Sequence, residues 1–211
     1  MSYAVVVACG SFNPITYGHL RMLEIAKDIL ISKGYSDVEG ILSPVSDAYK
    51  KEGLLPSRHR IKMCQLAVRN SDWIRCDSWE GTRTTFTPTV KVLRYFKELY
   101  EGDVSVFFVA GSDLVNSFKN PCWWSLNEVK EITSSFTTIM VERIGQDMEL
   151  DVHHKVIKEI LPNIVRCPGA ICYDISSTKV RKCIAMGRSI RYLTDDNVVD
   201  YISQEKLYKV L

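Results

Sequence analysis

Apolar residues in this chain fall into two kinds of run, and the two kinds alternate from end to end. "AVVVA" (4–8) is uninterrupted and predicts a buried strand; the next segment, "HLRMLEIAKDIL" (19–30), places Leu20, Leu23, Ile25, Ala26, Ile29 and Leu30 on one helical face before Gly34 ends it. "VEGILSPV" (38–45) predicts the second strand, Ser57 an N-cap for a helix over 58–70, and "WIRCDSW" (73–79) a third strand. Thr87-Pro88 opens "TVKVLRYFKELY" with Pro88 at the first helical position, where its missing N–H costs least. "DVSVFFVAG" (103–111) is nearly all apolar, as a central parallel strand covered on both faces requires. Helix-like "WWSLNEVKEI" then leads to strand "FTTIMVER", helix-like "VHHKVIKEIL" to strand "NIVRC", and strand-like "AICYDI" (170–175) to closing helices.

Strand and helix repeating at this spacing predict an α/β fold with a doubly wound parallel sheet, Rossmann-like, in a single domain over 1–211. In such sheets ligands gather at the carboxyl ends of the strands. The residues that follow the predicted strands are therefore the candidates: Gly10-Ser11, Ser43-Pro44 and Asp47, Trp79-Glu80, Gly111-Ser112-Asp113, Arg143, and Asp174 onward.

Composition narrows the partners. With 211 residues, 46% hydrophobic and 25% charged, the chain sits near the globular average and can bury a sizeable core. A formal charge of +2, from scattered Lys and Arg, predicts no nucleic acid partner. No apolar run reaches the roughly 18–20 residues of a membrane span, and the N-terminus has no basic region before an apolar core. The expectation is no membrane association and a cytoplasmic default, with nucleus and mitochondrion left open. Seven cysteines without a C-x-x-C pair read as reduced, small apolar residues.

The chemistry concentrates in two short stretches. Neither G-x-x-x-x-G-K-[ST] nor a strand-following G-x-G-x-x-G occurs, so the first turn, "GSFNPITYGHL", is no P-loop and no ordinary dinucleotide fingerprint. It offers a glycine-bearing turn and a histidine at a helix start, where N–H groups point at an anion. The second stretch, "ISSTKVR" (175–181), puts hydroxyls and cations at another helix start. Together they resemble the [HT]-x-G-H and I-S-S-T-x-x-R motifs of the nucleotidylyltransferase superfamily. "SPVSDAYKKEGL", "SRHRIKMCQLA", "TPTVKVLR", "AGSDLVNSF" and "GRSIRYL" narrow the resemblance, over nearly the whole chain, to the eukaryotic nicotinamide mononucleotide adenylyltransferases.

That resemblance implies transfer of AMP from ATP to nicotinamide or nicotinic acid mononucleotide, giving NAD or its deamido form and pyrophosphate. Mg²⁺ would arrive with ATP, and no protein metal site is expected. His19 and Arg181 would be catalytic; Gly18, His19, Gly111, Asp113, Ser177, Thr178, Lys179 and Arg181 would bind ATP, with the segment 177–211 closing that site. Gly10, Ser11, Lys51, Phe86, Thr89 and Trp124 would hold the mononucleotide, with the cationic ring between Phe86 and Trp124. Phe86 stands where animal members of the family usually carry tryptophan. A homo-oligomer is also implied.

Plainer roles compete at each position. His19 could simply cap its helix, Asp113 could cap the next one, Lys51 could be solvated beside Lys50, and Trp79 could be core packing. His59, His153 and His154 read as surface residues, and Asp47 as a residue that orients its loop. Three other functions suit parts of the pattern. A transferase acting on phosphopantetheine or phosphocholine shares the motifs but has no use for an aromatic pair. A class I aminoacyl-tRNA synthetase shares the histidine motif but needs a longer chain and a K-M-S-K-S segment. A non-catalytic binding or chaperone-like protein would have no need to keep His19, Thr178 and Arg181 together.

Overall fold

The computed structural model describes residues 3–100, 102–142, 150–167 and 171–208. Six parallel strands make the sheet: β1 (Tyr3–Gly10), β2 (Asp37–Pro44), β3 (Ile74–Cys76), β4 (Val104–Gly111), β5 (Thr138–Val141) and β6 (Ile164–Cys167). Their order is β3-β2-β1-β4-β5-β6, so the chain starts mid-sheet, builds outward to β3, and then reverses to the other side of β1. Tyr3 pairs with Val104 and Val7 with Phe108 in the β1–β4 ladder. This is the doubly wound fold that the alternation of runs predicts.

Eight α-helices join the strands among the described residues: α1 (Tyr17–Ser32), α2 (Ser57–Ala67), α3 (Thr89–Leu99), α4 (Ser112–Ser117), α5 (Leu126–Ser135), α6 (Lys155–Ile160), α7 (Ser177–Ala185) and α8 (Asp196–Gln204). The chain divides into two compact units, each discontinuous in sequence. The first comprises Met1–Cys9, Met22–Gly40 and Pro88–Asp174; the second comprises Gly10–Arg21, Ile41–Thr87 and Ile175–Leu211.

The first unit packs Val5, Val6, Leu23, Leu30, Leu93, Phe96, Phe108, Ile132 and Ile139, all fully buried, around the central strands. Each such side chain contributes about 1.5–3 kcal/mol through apolar area removed from water. In the second unit Ile15, Leu42, Met63, Val180 and Val198 play the same part.

Several boundaries differ from those expected, each for a local reason. Ser57 is the first helical residue of α2 and caps nothing; Pro56 holds the cap position, and the free N–H of Ser57 donates to Asp47 Oδ1 at 2.6 Å. Pro88 likewise stands at the cap of α3, one place earlier than predicted, and its carbonyl accepts from Lys91 and Val92. The third strand shrinks to Ile74–Cys76. Residues 171–175 form no strand: Ile171 is 73% exposed and Tyr173 48% exposed, so these apolar side chains have no sheet face to cover. His154 is not inside a helix but caps α6, its ring accepting from the Val156 N–H. Arg143 and Ala170 lie outside the described residues.

Candidate active site

The second unit brings the two motif stretches together. Thr16 ends the first turn, its carbonyl accepting from the N–H groups of His19 and Leu20 as α1 begins. His19 returns the contact: its Nδ1 accepts from Thr16 N–H at 3.1 Å and lies 2.8 Å from Thr16 Oγ1. A ring nitrogen that accepts a backbone N–H carries no hydrogen, so the imidazole hydrogen resides on Nε2, which is thereby a donor. Phe12 meets the imidazole edge-on, with ring centres 5.3 Å apart. The capping role and a donor role therefore coexist in one side chain.

At the other motif, Ser176 caps α7 by accepting from Lys179 N–H. Ser177 Oγ donates to the Pro14 carbonyl at 2.8 Å, and Arg181 Nη1 donates to the Asn13 carbonyl at 2.8 Å, with Nη2 3.3 Å from Thr178 Oγ1. Gly18 shows how tightly the stretches meet: a Cβ there would sit 2.7 Å from the Ile175 carbonyl oxygen. What the missing side chain admits is thus backbone of the second motif. Two helix N-termini, a histidine donor and a guanidinium converge on the turn over 10–16, which is an arrangement for polyanionic phosphate. Gly18→Ala should cost about 1–3 kcal/mol, because the obstacle is backbone and cannot swing aside; a urea unfolding midpoint unchanged from wild type would contradict this contact.

The first turn is itself held by a residue that sequence reasoning passed over. Arg60, in α2, is fully buried and donates from Nε to Leu55 O at 2.7 Å, from Nη1 to Ser11 O at 2.9 Å, and from Nη2 to Val45 O at 2.7 Å and Asp47 Oδ1 at 3.0 Å. It thereby ties the first turn, the loop after β2 and the loop over 53–55 to one guanidinium. Asp47 does orient its loop, through Arg60 and through Ser57. The only sequence signal was an arginine in a helix pattern, indistinguishable from a solvated one. Gly10 packs over the Phe12 ring, which a Cβ would meet at 3.3 Å.

Glu80, 3% exposed, accepts from Ser43 Oγ at 2.5 Å. Burial lifts its carboxyl from 4.5 to about 7, against opposing pulls from the Ser43 hydroxyl and from Arg60. Between these values the folded chain keeps a proton that the unfolded chain has released, so this contribution to stability is present at low pH and is lost as pH rises toward 7. Glu80→Gln resembles the neutral acid and still accepts from Ser43. The stability difference between variant and wild type should widen in the variant's favour by about 2–3 kcal/mol from pH 5 to pH 8, read from urea midpoints; a constant difference would refute it.

The other expected residues are placed as follows. Lys51 is exposed, with no side-chain partner among the described residues, and Lys179 is exposed on α7. Phe86 is 49% exposed and stacks on Tyr49, ring centres 5.7 Å apart at 27°, an aromatic partner the sequence did not suggest. Trp79 is half-buried under the Arg83 guanidinium. His59 Nδ1 lies 2.9 Å from the Tyr201 hydroxyl, joining α2 to α8.

In the first unit Gly111 ends β4 at the cap position of α4, and Asp113 lies in that helix's first turn without capping it. Its carboxylate makes no hydrogen bond to the described residues, leaving both oxygens as acceptors. Thr89 begins α3. Trp124 donates from Nε1 to Ser117 Oγ at 3.0 Å and packs edge-on against Phe118, which fixes its ring plane. Among the described residues no three His, Cys, Asp or Glu side chains cluster as metal ligands, and no helix is long and apolar enough to cross a membrane.

The sequence model of the cytidylyltransferase-like family matches residues 7–183. A nicotinamide/nicotinic acid mononucleotide adenylyltransferase of Oryza sativa subsp. japonica is 42% identical over 98% of this chain and 86% of its own length. The enzyme of that name from Arabidopsis thaliana is 39% identical over 98% and 90%. Among solved structures, Plasmodium falciparum nicotinic acid mononucleotide adenylyltransferase complexed with NaAD superposes with a TM-score of 0.71 at 23% identity, covering 98% of this chain and 97% of that one, a likeness of fold.

Proposed function

Because the chain belongs to the cytidylyltransferase-like family, and within it to the nicotinamide/nicotinic acid mononucleotide adenylyltransferases, we propose that it joins ATP to either mononucleotide, yielding NAD or its deamido form and pyrophosphate. The observation that carries this reading is the meeting of the His19 and Arg181 helix starts on one turn. A mononucleotide phosphate oxygen attacks the α-phosphorus of ATP, the bond to the β-phosphate oxygen breaks in line, and pyrophosphate departs. With a second pKa of about 6, the attacking phosphate is already largely dianionic at neutral pH, and no general base is required. What the protein must supply is alignment of two anions and neutralisation of charge growing on the leaving group.

The side chains suit those tasks. His19 Nε2–H donates to an ATP phosphate oxygen in the transition state, and Arg181 with Thr178, Ser177 and Lys179 takes the β- and γ-phosphates. Mg²⁺ would enter with ATP, as part of the substrate, and would offset negative charge on its phosphates. Asp113 accepts from adenosine ribose hydroxyls, beside Gly111. Gly10, Ser11 and Lys51 take the mononucleotide phosphate, and Phe86, Trp124 and Thr89 its ring end. A carboxamide and a carboxylate differ at one terminal group, so both mononucleotides are expected to serve.

The test is an assay with ATP, Mg²⁺ and nicotinamide mononucleotide that scores NAD and pyrophosphate together, beside tubes containing nicotinic acid mononucleotide or phosphopantetheine. Equimolar dinucleotide and pyrophosphate from the two mononucleotides is the expected result. Product from phosphopantetheine alone, or from none, would overturn the proposal.

A further inference from the structure

Asn13 is a junction. It is 4% exposed; its Nδ2 donates to Gly53 O at 2.8 Å, its carbonyl accepts from Arg181 Nη1 at 2.8 Å, and its Oδ1 accepts from Tyr208 Oη–H at 2.8 Å and from Leu55 N–H at 3.4 Å. One residue therefore joins the guanidinium assigned to the ATP phosphates to a tyrosine near the far end of the chain. The amide is fixed in one orientation, since its nitrogen faces a carbonyl and its oxygen faces two donors.

The backbone is bent to deliver that tyrosine. Helix α8 ends with Lys206 N–H donating to Ser203 O and Leu207 N–H to Ile202 O, the two reversed bonds of a Schellman turn. The left-handed position in that turn usually belongs to glycine, yet here it is Lys206, at φ 53°. Tyr208 follows at φ 61°, again left-handed, and Leu207 between them is buried. Two non-glycine residues in this region are uncommon for L side chains and persist where surrounding contacts dictate them. The contacts on the far side of the turn are those of the Tyr208 hydroxyl with Asn13. Burial raises the pKa of this phenol, with Arg181 and Arg60 pulling the other way, so it remains a hydroxyl donor at neutral pH.

We propose that Tyr208 is a positioning residue for Arg181, acting through Asn13: its hydroxyl holds the Asn13 amide, and the Asn13 carbonyl holds the guanidinium where ATP phosphate is taken. This rests on the reading of Arg181 as a phosphate ligand. The Tyr208 hydroxyl bonds to Asn13 Oδ1 and, in this scheme, does not touch substrate.

A double-mutant cycle in MgATP binding tests it, with the dissociation constant measured by titration calorimetry for wild type, Tyr208→Phe, Arg181→Ala and the double variant. Loss of one neutral hydrogen bond is expected to weaken MgATP roughly three- to tenfold in the wild-type background. In the Arg181→Ala background the same substitution should change binding by less than about twofold, because the group it positions is gone. Lys206→Gly eases the same turn while keeping the hydroxyl, and should bind MgATP as wild type does.

A Tyr208→Phe effect of equal size in both backgrounds would overturn the proposal and make Tyr208 a packing residue, as would wild-type affinity in Tyr208→Phe. If Tyr208→Phe does not fold, Asn13→Ala in the same cycle removes the amide that receives the hydroxyl, and equal effects with and without Arg181 would again overturn it. Product formation is scored alongside. A wild type that binds MgATP but makes no dinucleotide sinks the adenylyltransferase reading and leaves the cycle to decide on Tyr208; a wild type that binds no MgATP overturns both.

Discussion

His19→Ala is expected to lower kcat by about 10²–10³-fold, the usual consequence of removing one preorganised donor from a developing negative charge. The loss should appear in kcat more than in KM, since the Nε2–H bond is proposed to strengthen as charge moves onto the leaving phosphates. Alanine also deletes the acceptor for Thr16 N–H, so part of any deficit could be a frayed helix start. His19→Asn separates the two contributions. Its short amide oxygen can still accept from Thr16 where Nδ1 now does, but it has no donor at the reach of Nε2. Both variants should lose activity to a similar extent, while only the alanine variant should lose about 1 kcal/mol of stability as a lost cap does. An asparagine variant with near wild-type kcat would remove His19 from the chemistry.

Arg60→Met should be the most destabilising single change of those considered, by about 3–5 kcal/mol, because it strips donors from a buried polar network. Asp47 is 55% exposed at its side chain and can return to water, but the Val45 carbonyl lies in a buried hydrogen bond and has no such recourse. Arg60→Lys should recover only a minor part. A single ammonium on a flexible stem cannot reach four acceptors that a planar fork spans. Since one of those acceptors is Ser11 O, residual activity at permissive temperature should show a raised KM for the mononucleotide. Urea unfolding and steady-state kinetics on the folded variant check both statements; a midpoint within error of wild type would mean that the network is dispensable.

The contrast between Arg60 and its neighbours explains what a sequence can and cannot disclose. Strand β4 was legible because a strand covered on both faces is apolar almost throughout, as "VSVFFVA" is apart from Ser105. Helix α1 was legible for the matching reason, one apolar face at helical spacing, and both motif stretches were legible as residue types at helix starts. Arg60 was not, since hydrophobic periodicity reports burial of apolar groups and is silent about a cation buried by hydrogen bonds. Residues 171–175 misled by being mostly apolar without lying in a strand, and Ser57 by being a good capping residue where Asp47, ten residues earlier, accepts the free N–H instead. Tyr208 was invisible because its turn lacks the glycine that would have marked it. The Tyr49 stack on Phe86 is tertiary, and neither residue's local sequence announces it.

The junction at Asn13 also sets a schedule for synthesis. Its amide lies 195 residues ahead of the Tyr208 hydroxyl that it accepts from, and its carbonyl 168 residues ahead of Arg181. At the roughly 5–20 residues per second of translation, the first turn leaves the peptidyl transferase centre about 10–40 s before its last partner has been made. During that interval strands of the first unit can pair, but the first turn, Arg181 and Tyr208 cannot yet meet. A turn made early is therefore completed late, and a nascent chain stalled just short of residue 208 lacks the Tyr208 hydroxyl and is expected to bind MgATP more weakly than the finished chain.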